Sequence, residues 1–162
     1  MTFNESGLSE PILRALADLG FEHPTPIQEQ TLPHLIEKGG DLVALAQTGT
    51  GKTAGFGLPL LERVDEDHKE PQALILCPTR ELCLQISRDL EAFAKYMPNL
   101  NITAVYGGTP IDQQIKSLNA GPQIIVGTPG RTLDLIKRRK LRLEGIDTVI
   151  LDEADEMLSM GF

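Results

Sequence analysis

Short continuous apolar runs alternate along the chain with segments in which apolar residues recur every three or four positions. The first pattern is typical of strands covered on both faces, and the second is typical of amphipathic helices. This alternation predicts an α/β fold with a mostly parallel central sheet, right-handed crossovers and helices on both faces. The predicted strands are residues 42–46, 73–77, 102–106, 123–126 and 148–151, and the predicted helices between them are residues 51–61, 81–96, 111–118 and 132–137.

Two further helices are predicted before the first of these strands. Ser9 is a suitable N-cap for a helix through Leu19, and Gly20 is a suitable stop. A second helix is predicted from Pro26 to residue 38. A kink or break is expected at Pro33, because a proline inside a helix removes a backbone hydrogen bond.

A glycine-rich segment, AQTGTGKT at residues 46–53, lies between the first predicted strand and the helix that follows it. A strand, a loop of this kind and a helix make up the phosphate-binding P-loop, and alanine replaces the glycine that the strict pattern has first. The loop backbone would point N–H groups at phosphate oxygens, Lys52 would reach the β- and γ-phosphates, and Thr53 would hold Mg²⁺. The nucleotide-binding residues predicted here are Gln47, Thr48, Gly49, Thr50, Gly51, Lys52 and Thr53.

A second acidic motif follows the last predicted strand, where residues 149–151 are apolar and residues 152–155 read DEAD. Asp152 is predicted to hold Mg²⁺, usually through water, opposite Thr53. Glu153 is predicted to orient and polarise an attacking water, so the predicted catalytic residues are Glu153, Lys52 and Asp152. The acidic run alone would equally suit the N-terminus of a helix, and the P-loop upstream favours the catalytic interpretation.

Six segments occur in a fixed order: PTPIQ at 24–28, AQTGTGKT at 46–53, PTREL at 78–82, GG at 107–108, TPGR at 128–131 and DEAD at 152–155. This order closely resembles the first RecA-like domain of the DEAD-box ATP-dependent RNA helicases, and the resemblance runs from Phe3 to Phe162. It implies a RecA-like P-loop NTPase fold with ATP and Mg²⁺ as cofactors. Six motifs in order are far more specific than a lone P-loop.

The resemblance also implies a domain organisation. Residues 1–162 are expected to form one N-terminal RecA-like ATP-binding domain, with Q-motif helices at 1–40 and a P-loop core at 41–162. The domain is expected to be truncated on its C-terminal side, without the second RecA-like domain and its arginine fingers. Because those arginines stabilise the transition state, this chain alone is expected to bind nucleotide without efficient hydrolysis or unwinding.

Gln28 is the candidate that would read the base, because its amide can accept from adenine N6 and donate to N7 together. By resemblance to the Q motif, Phe3 or Phe21 would pack near adenine and Thr25 would help to position the P-loop. The alternative is that Gln28 is a surface helix residue and that both phenylalanines belong to an ordinary core.

By the same resemblance, the chain would grip single-stranded or locally unwound RNA through the sugar-phosphate backbone. Binding would not depend on base sequence and would weaken with salt. Alternatively, Thr79 and Thr128 are helix N-caps. In that case Arg80 and Arg131 would pair with Glu81 or another acidic motif residue. The predicted RNA-binding residues are Thr79, Arg80, Gly107, Gly108, Thr128, Gly130 and Arg131.

The P-loop and the segments beginning at residues 78, 107, 128 and 152 all follow predicted strands. In a parallel sheet the carboxyl ends of the strands share one edge, where ligands bind. We therefore expect these five segments at that edge.

Charge and composition change this interpretation only slightly. The chain has 162 residues, 41% hydrophobic residues and a formal net charge of −8, which suits one globular domain and argues mildly against binding nucleic acid through net charge. A basic stretch suits either a solvent-facing helix end or RNA contact. The stretch consists of Arg131, Lys137, Arg138, Arg139, Lys140 and Arg142.

Cys77 and Cys83 show neither a disulfide framework nor metal-ligand spacing, which fits a reducing compartment. Neither a signal peptide nor an apolar run of transmembrane length is evident, so a cytoplasmic protein without a membrane partner is expected. Two other function classes remain open. One is a non-catalytic adenine-nucleotide or RNA-binding module, and the other is a related P-loop kinase or an ATPase that acts on DNA.

Overall fold

The computed structural model describes residues 1–46 and 51–161. The helices are α1 (Glu10–Asp18), α2 (Pro26–Pro33), α3 (Lys52–Arg63), α4 (Arg80–Phe93), α5 (Ile111–Asn119), α6 (Pro129–Lys137) and α7 (Ala154–Ser159). The strands are β1 (Ala73–Leu76), β2 (Ile102–Val105), β3 (Ile124–Gly127) and β4 (Thr148–Leu151). A 3-10 helix covers Phe3–Glu5, and a π-helix covers His34–Lys38. None of these helices has both the length and the apolar character that crossing a bilayer requires.

The four strands form one parallel sheet in the order β2-β3-β1-β4. A helix follows each strand, which confirms the predicted α/β class, and parallel pairing requires such crossovers. The chain leaves β1 toward one side of the sheet and reaches β4 on the other side. Ligand sites in open α/β sheets occur beside such reversals of winding, at the carboxyl ends of the strands.

The two inner strands are buried along their length. Ile75 in β1 and Ile124, Ile125 and Val126 in β3 are fully buried, as expected for strands with both faces covered. The outer strand β4 instead alternates between half-buried and exposed positions, and Val149 is 59% exposed. Continuous burial therefore marks the centre of the sheet and alternation marks its edge.

The chain divides into two compact units, and the first comprises Met1–Arg63 with Asp89–Pro98. Within it, α1 has Ser9 as its N-cap and ends at Leu19, before Gly20 with a φ of 77°, as predicted. At Pro33 the hydrogen-bonding pattern changes from α2 to the π-helix, which confirms the predicted break.

The prediction of a strand at residues 42–46 is wrong. Residues 41–46 have no regular secondary structure, and Val43 and Leu45 are 89% and 92% exposed. An apolar run becomes a strand only by pairing in a ladder, and the described residues contain no strand that pairs with this segment. The other predicted strands and helices are present with small shifts of their ends, whereas the short helix α7 was not predicted.

The second unit comprises Val64–Arg88 with Asn99–Phe162 and contains the whole sheet. Its main apolar cluster joins residues of β1, β2 and β3 to residues of α5 and α6 and of the segment after α6. The cluster consists of Leu74, Val105, Leu118, Ile125, Leu135 and Leu141. Packing of this kind fixes the helices that carry the loops at the carboxyl edge of the sheet.

We expect Leu135→Ala to lower the free energy of unfolding by about 2–5 kcal/mol, because it removes a fully buried side chain and leaves a cavity. Leu133→Ala is the matched control on the same helix: Leu133 is 47% exposed, so we expect a change of about 0.5 kcal/mol or less. Urea unfolding followed by circular dichroism measures both. Equal losses in the two variants would contradict the packing described.

Candidate functional site

Four of the predicted segments lie at one edge of the sheet. The ladder continues one residue beyond β1, β3 and β4: Cys77 N donates to Gly127 O at 3.0 Å, Thr128 N to Val105 O at 3.0 Å, and Asp152 N to Leu76 O at 2.9 Å. The segments that begin at residues 78, 107, 128 and 152 therefore emerge together, as predicted. The fifth segment, the P-loop, does not follow a strand of this sheet.

Three glycines at this edge open onto free space. A Cβ atom built on Gly107, Gly108 or Gly130 would meet no atom of the described residues within 4 Å, and all three residues are exposed. Gly127 differs, because a Cβ there would collide with Thr132 Oγ1 and lie 2.9 Å from Val105 Cγ2. Packing thus explains Gly127, and a φ of 83° favours glycine at residue 108, but neither reason applies to Gly107 or Gly130. All three open glycines leave room for another molecule to approach the backbone.

Arg131 is held in place by two neighbouring groups. Its Nη1 donates to Gln114 Oε1 at 3.0 Å, and its Nη2 donates to Thr109 O at 2.9 Å. Both partners are neutral oxygens, one of a side-chain amide and one of a backbone carbonyl. The alternative drawn from the sequence, in which Arg131 pairs with an acidic side chain, is not what these two bonds show. A guanidinium has five N–H groups, so three donors remain for another partner.

The Gln114 side chain, which sequence reasoning missed, is 7% exposed and joins Arg131 to the loop after β2. Its Oε1 also accepts from Tyr106 N at 3.3 Å, and its Nε2 donates to Tyr106 O at 3.0 Å and to Thr109 Oγ1 at 3.1 Å. The sequence holds one signal for it: Gln114 lies four residues before Leu118 on the buried face of α5, where an apolar residue is expected.

Thr79 and Thr128 are the residues that precede α4 and α6, as the alternative interpretation requires. Thr79 Oγ1 accepts from Leu82 N at 3.1 Å, which is the geometry of an N-cap, and Thr128 is the N-cap residue of α6. The Arg80 guanidinium lies 5.0 Å from the centre of the Tyr106 ring, a cation–π distance. Contact of Thr79, Arg80 and Thr128 with RNA stays a prediction.

The acidic motif begins where β4 ends. Asp152 is 8% exposed, and Glu153 directly after it has φ 53° and ψ 50° in the left-handed region. That conformation is uncommon for a residue with a side chain, and strain of this kind is concentrated at functional sites. Glu153 also precedes α7, and its carbonyl oxygen accepts from Met157 N at 3.2 Å.

The two cysteines lie on either side of the PTREL segment and are fully buried. Cys83 Sγ donates to Val126 O at 3.1 Å. The hydrogen bond with Cys83, together with burial, raises the pKa of the Cys77 thiol, and the same bond lowers the pKa of Cys83. Cys77 is therefore protonated near neutral pH, and it serves as a structural thiol that packs at the end of β1.

The basic stretch agrees better with a solvent-facing helix end. Arg138 and Lys140 are exposed at the C-terminal end of α6, about 12 Å along the helix from its first residue. Arg138 Nε also pairs with Asp134 Oδ1 at 3.0 Å. Cations at this end of a helix stabilise it through the helix dipole, whereas Arg131 lies at the opposite end.

In the first unit, Gln28 contacts the residue that precedes α3. Its Nε2 donates to Gly51 O at 3.1 Å, and its Oε1 accepts from Thr25 N at 3.0 Å, which completes a capping box. Gln28 is 4% exposed, so it is not the surface helix residue of the alternative interpretation. One N–H and one lone pair of the amide have no role in these two bonds, so reading of adenine stays a prediction.

Phe3 and Phe21 line one cavity of about 390 Å³ in the first unit. Phe3 is buried at 4% exposure, whereas Phe21 is 42% exposed and its ring centre lies 6.3 Å from that of Phe93. The structure therefore brings together both phenylalanines that the resemblance placed near adenine. Gln28 does not line this cavity.

The predicted phosphate loop is described only in part. Gln47, Thr48, Gly49 and Thr50 lie outside the described residues. Gly51 has a φ of 85°, and α3 begins at Lys52 and continues through Thr53. The start of the predicted helix at this point is confirmed, and the N-terminus of such a helix favours anions.

Within residues 1–46 and 51–161, no three metal-ligating side chains of histidine, cysteine, aspartate or glutamate come together. Thr53 and Asp152 nevertheless offer the hydroxyl and carboxylate oxygens that Mg²⁺ prefers, and Mg²⁺ usually completes its shell with water and phosphate. The chemistry of the donors fits the predicted ion.

A parallel sheet with its motifs at the carboxyl edge defines a RecA-like α/β domain, and the known structures agree. A solved DEAD box protein from Methanococcus jannaschii superposes with a TM-score of 0.93 at 48% identity, over 99% of this chain and 44% of that one. Saccharomyces cerevisiae Dbp5 bound to RNA and ADP BeF3 gives 0.87 at 36% identity, over 97% of this chain and 39% of that one.

The DEAD/DEAH box helicase family model matches residues 25–162, and the chain belongs to that family. ATP-dependent RNA helicase DeaD of Escherichia coli strain K12 is 53% identical over 161 residues. That match covers 99% of this chain and 25% of the relative, so the chain spans about a quarter of the relative's length.

We expect Gly51→Ala to lower the free energy of unfolding more than Gly40→Ala does. Both glycines have positive φ values, 85° and 83°, so each variant carries a similar backbone cost of about 1 kcal/mol. A Cβ at residue 40 would meet nothing within 4 Å, whereas at residue 51 it would collide with Gln28 Nε2. Urea unfolding measures the difference.

The same comparison in a Gln28→Ala background serves as the control. Removing the amide removes the shorter of two close approaches and leaves Thr25 Oγ1 at 2.9 Å, so the cost of Gly51→Ala should fall toward that of Gly40→Ala without reaching it. If the two glycine variants are equally destabilised with Gln28 present, the close approach of residues 28 and 51 is wrong.

Proposed function

We propose that this chain is the ATP-binding and partial RNA-binding domain of an ATP-dependent RNA helicase, which couples ATP hydrolysis to local unwinding of RNA or remodelling of RNA–protein complexes. One observation carries the proposal: three open glycines and a prepositioned arginine share the edge of the sheet from which Asp152 and Glu153 emerge. Family membership supports the same assignment.

For the nucleotide, the first unit supplies the groups beside the phosphates and the base. Lys52 would donate to the β- and γ-phosphates, and the N-terminus of α3 would add the partial charge of its backbone N–H groups. Gln28 would read adenine with the N–H and the lone pair that its contacts with Gly51 and Thr25 leave, and Phe3 or Phe21 would pack near the base.

For hydrolysis, the second unit supplies the acidic pair. Mg²⁺, when bound, would neutralise phosphate charge, with Thr53 and Asp152 as its protein oxygen donors. Glu153 would orient the attacking water and accept its proton, which requires its carboxylate to point in one direction. The left-handed backbone of Glu153 sets that direction differently from an ordinary helix start, which supports the assignment.

For RNA, the carboxyl edge of the sheet would bind the sugar-phosphate backbone. The open glycines would let the strand approach the protein backbone, and Arg131 would donate to a phosphate with the N–H groups that its two contacts leave. Thr79, Arg80 and Thr128 would contact the same strand. Such contacts do not read bases, so binding would tolerate any sequence.

The rest of the full-length protein would complete the enzyme. We include a second RecA-like domain with arginine fingers in the proposal, since phosphoryl transfer depends on positive charge that stabilises its transition state. We also place the protein in the cytoplasm, in line with its two buried free cysteines.

Calorimetric titration of this chain with Mg²⁺ and either ADP or GDP tests the nucleotide site. We expect ADP to bind about tenfold more tightly, because a guanine would lose one of the two hydrogen bonds with Gln28. In Gln28→Ala the preference should disappear. Gln30→Ala is the matched control, since Gln30 is exposed on the same helix and should leave the preference unchanged.

The ratio of the ADP affinity to the GDP affinity shows whether Gln28 reads the base or has a purely structural role. If Gln28 only supports Gly51 and Thr25, its removal should weaken ADP and GDP by the same factor. Equal binding of ADP and GDP by the unaltered chain would overturn the assignment of Gln28, and absence of binding would overturn the proposed nucleotide site.

Gly130→Ala tests the RNA face without disturbing the fold. The added methyl group meets nothing in the part of the chain that the structure describes, and alanine favours a helix over glycine, so the free energy of unfolding should stay constant or rise by up to about 1 kcal/mol. Affinity for a fluorescent single-stranded oligouridine should fall severalfold in an anisotropy titration. Unchanged RNA affinity would show that nothing approaches residue 130 closely.

A further inference from the structure

We propose that Gln114 is a positioning residue for the RNA face: it fixes the loop from Tyr106 to Thr109 and the Arg131 guanidinium in one arrangement before RNA arrives. This inference rests on the RNA-binding function proposed above. Gln114 belongs to none of the six motifs that carry the family resemblance, and it lies on α5 rather than at a strand end.

The amide of Gln114 uses its full hydrogen-bonding capacity. A glutamine amide has two donors and two acceptor lone pairs. Here the two donors bind Tyr106 O and Thr109 Oγ1, and the oxygen accepts from Tyr106 N and Arg131 Nη1. With four partners and 7% exposure, the side chain has a single orientation in which every group is satisfied.

The partners of this amide are groups that a ligand at the edge would meet. It holds both backbone polar groups of Tyr106, the residue directly before Gly107 and Gly108. Arg131 contacts both the amide and the loop, because its Nη1 donates to Gln114 Oε1 and its Nη2 donates to Thr109 O at the other end of the loop. The loop and the guanidinium are thus fixed relative to each other.

The arrangement extends to a third segment. The Tyr106 ring, whose backbone Gln114 holds, lies under the Arg80 guanidinium at 5.0 Å. One buried amide is therefore connected to all three segments of the predicted RNA face, after β1, β2 and β3. Groups held in their binding geometry lose less conformational entropy when a ligand orders them, so this preorganisation should raise affinity.

Two variants and a control separate positioning from plain packing. Gln114→Met keeps the volume but removes all four hydrogen bonds, and Gln114→Glu keeps an acceptor for Arg131 while losing both donors. Gln113→Met is the control, because Gln113 is the same residue type, adjacent on α5 and exposed. The readouts are affinity for a single-stranded oligouridine, affinity for ADP, urea unfolding, and hydrogen exchange at the Tyr106 amide.

We expect Gln114→Met to weaken RNA binding about tenfold at a temperature where the protein is fully folded, with ADP affinity unchanged. Exchange at the Tyr106 amide should accelerate, while the amides of β3 stay protected. Gln114→Glu should accelerate that exchange less, because its carboxylate can still accept from Tyr106 N while the bonds to Tyr106 O and Thr109 Oγ1 are lost. Gln113→Met should match the unaltered chain in every readout.

A double-mutant cycle with Arg131→Met provides the readout that a merely structural role would not move. If Gln114 acts through Arg131, the RNA affinity of the double variant should be almost the same as that of whichever single variant binds RNA less tightly. Additive losses, unchanged RNA affinity in Gln114→Met, or unchanged exchange at Tyr106 in both Gln114 variants would each overturn the positioning role. An unaltered chain that binds no RNA would instead overturn the proposed RNA face itself.

Discussion

Parallel pairing of the four strands is the constraint on which the rest of the second unit depends. Because neighbouring strands run in the same direction, each must be followed by a crossover, and every loop that leaves a strand emerges at the same edge. Residues separated by more than seventy positions, from Thr79 to Asp152, are thereby gathered at one edge of the sheet. Seven of the eight residues of β1 and β3 are buried, so the centre of the sheet is packed on both faces.

The predictable part of this structure is the part in which local pattern and pairing agree. The run at 148–151 became a strand at the predicted residues, whereas the equally apolar run at 42–46 did not, since no strand among the described residues pairs with it. Periodicity reports whether a segment suits a sheet, and only tertiary structure reports whether a neighbour exists. The left-handed backbone of Glu153 escaped prediction for a related reason: such a conformation depends on packing around the residue, not on its type.

The residues of the candidate site likewise divide into those that the sequence predicts and those that only the tertiary structure reveals. Motif residues could be assigned from order and spacing, because each motif is a contiguous run with a recognisable composition. Gln114 could not, because its importance comes from four partner atoms in two separate segments, the loop after β2 and the start of α6. A comparable case is Gln28, whose amide joins the N-terminus of α2 to Gly51. In both units a buried glutamine thus holds the backbone of a glycine-containing loop. An amide is suited to this role because it donates and accepts hydrogen bonds at the same time.

Burial of both cysteines has a practical consequence for work on this protein. Cys77 and Cys83 are fully buried, so thiol-directed reagents would have no exposed native sulfur to modify while the fold is intact. A single cysteine introduced at an exposed position, such as residue 113 beside the proposed RNA face, would then carry a fluorophore or spin label at one defined place. The native chain is in this sense already a cysteine-silent background for spectroscopy.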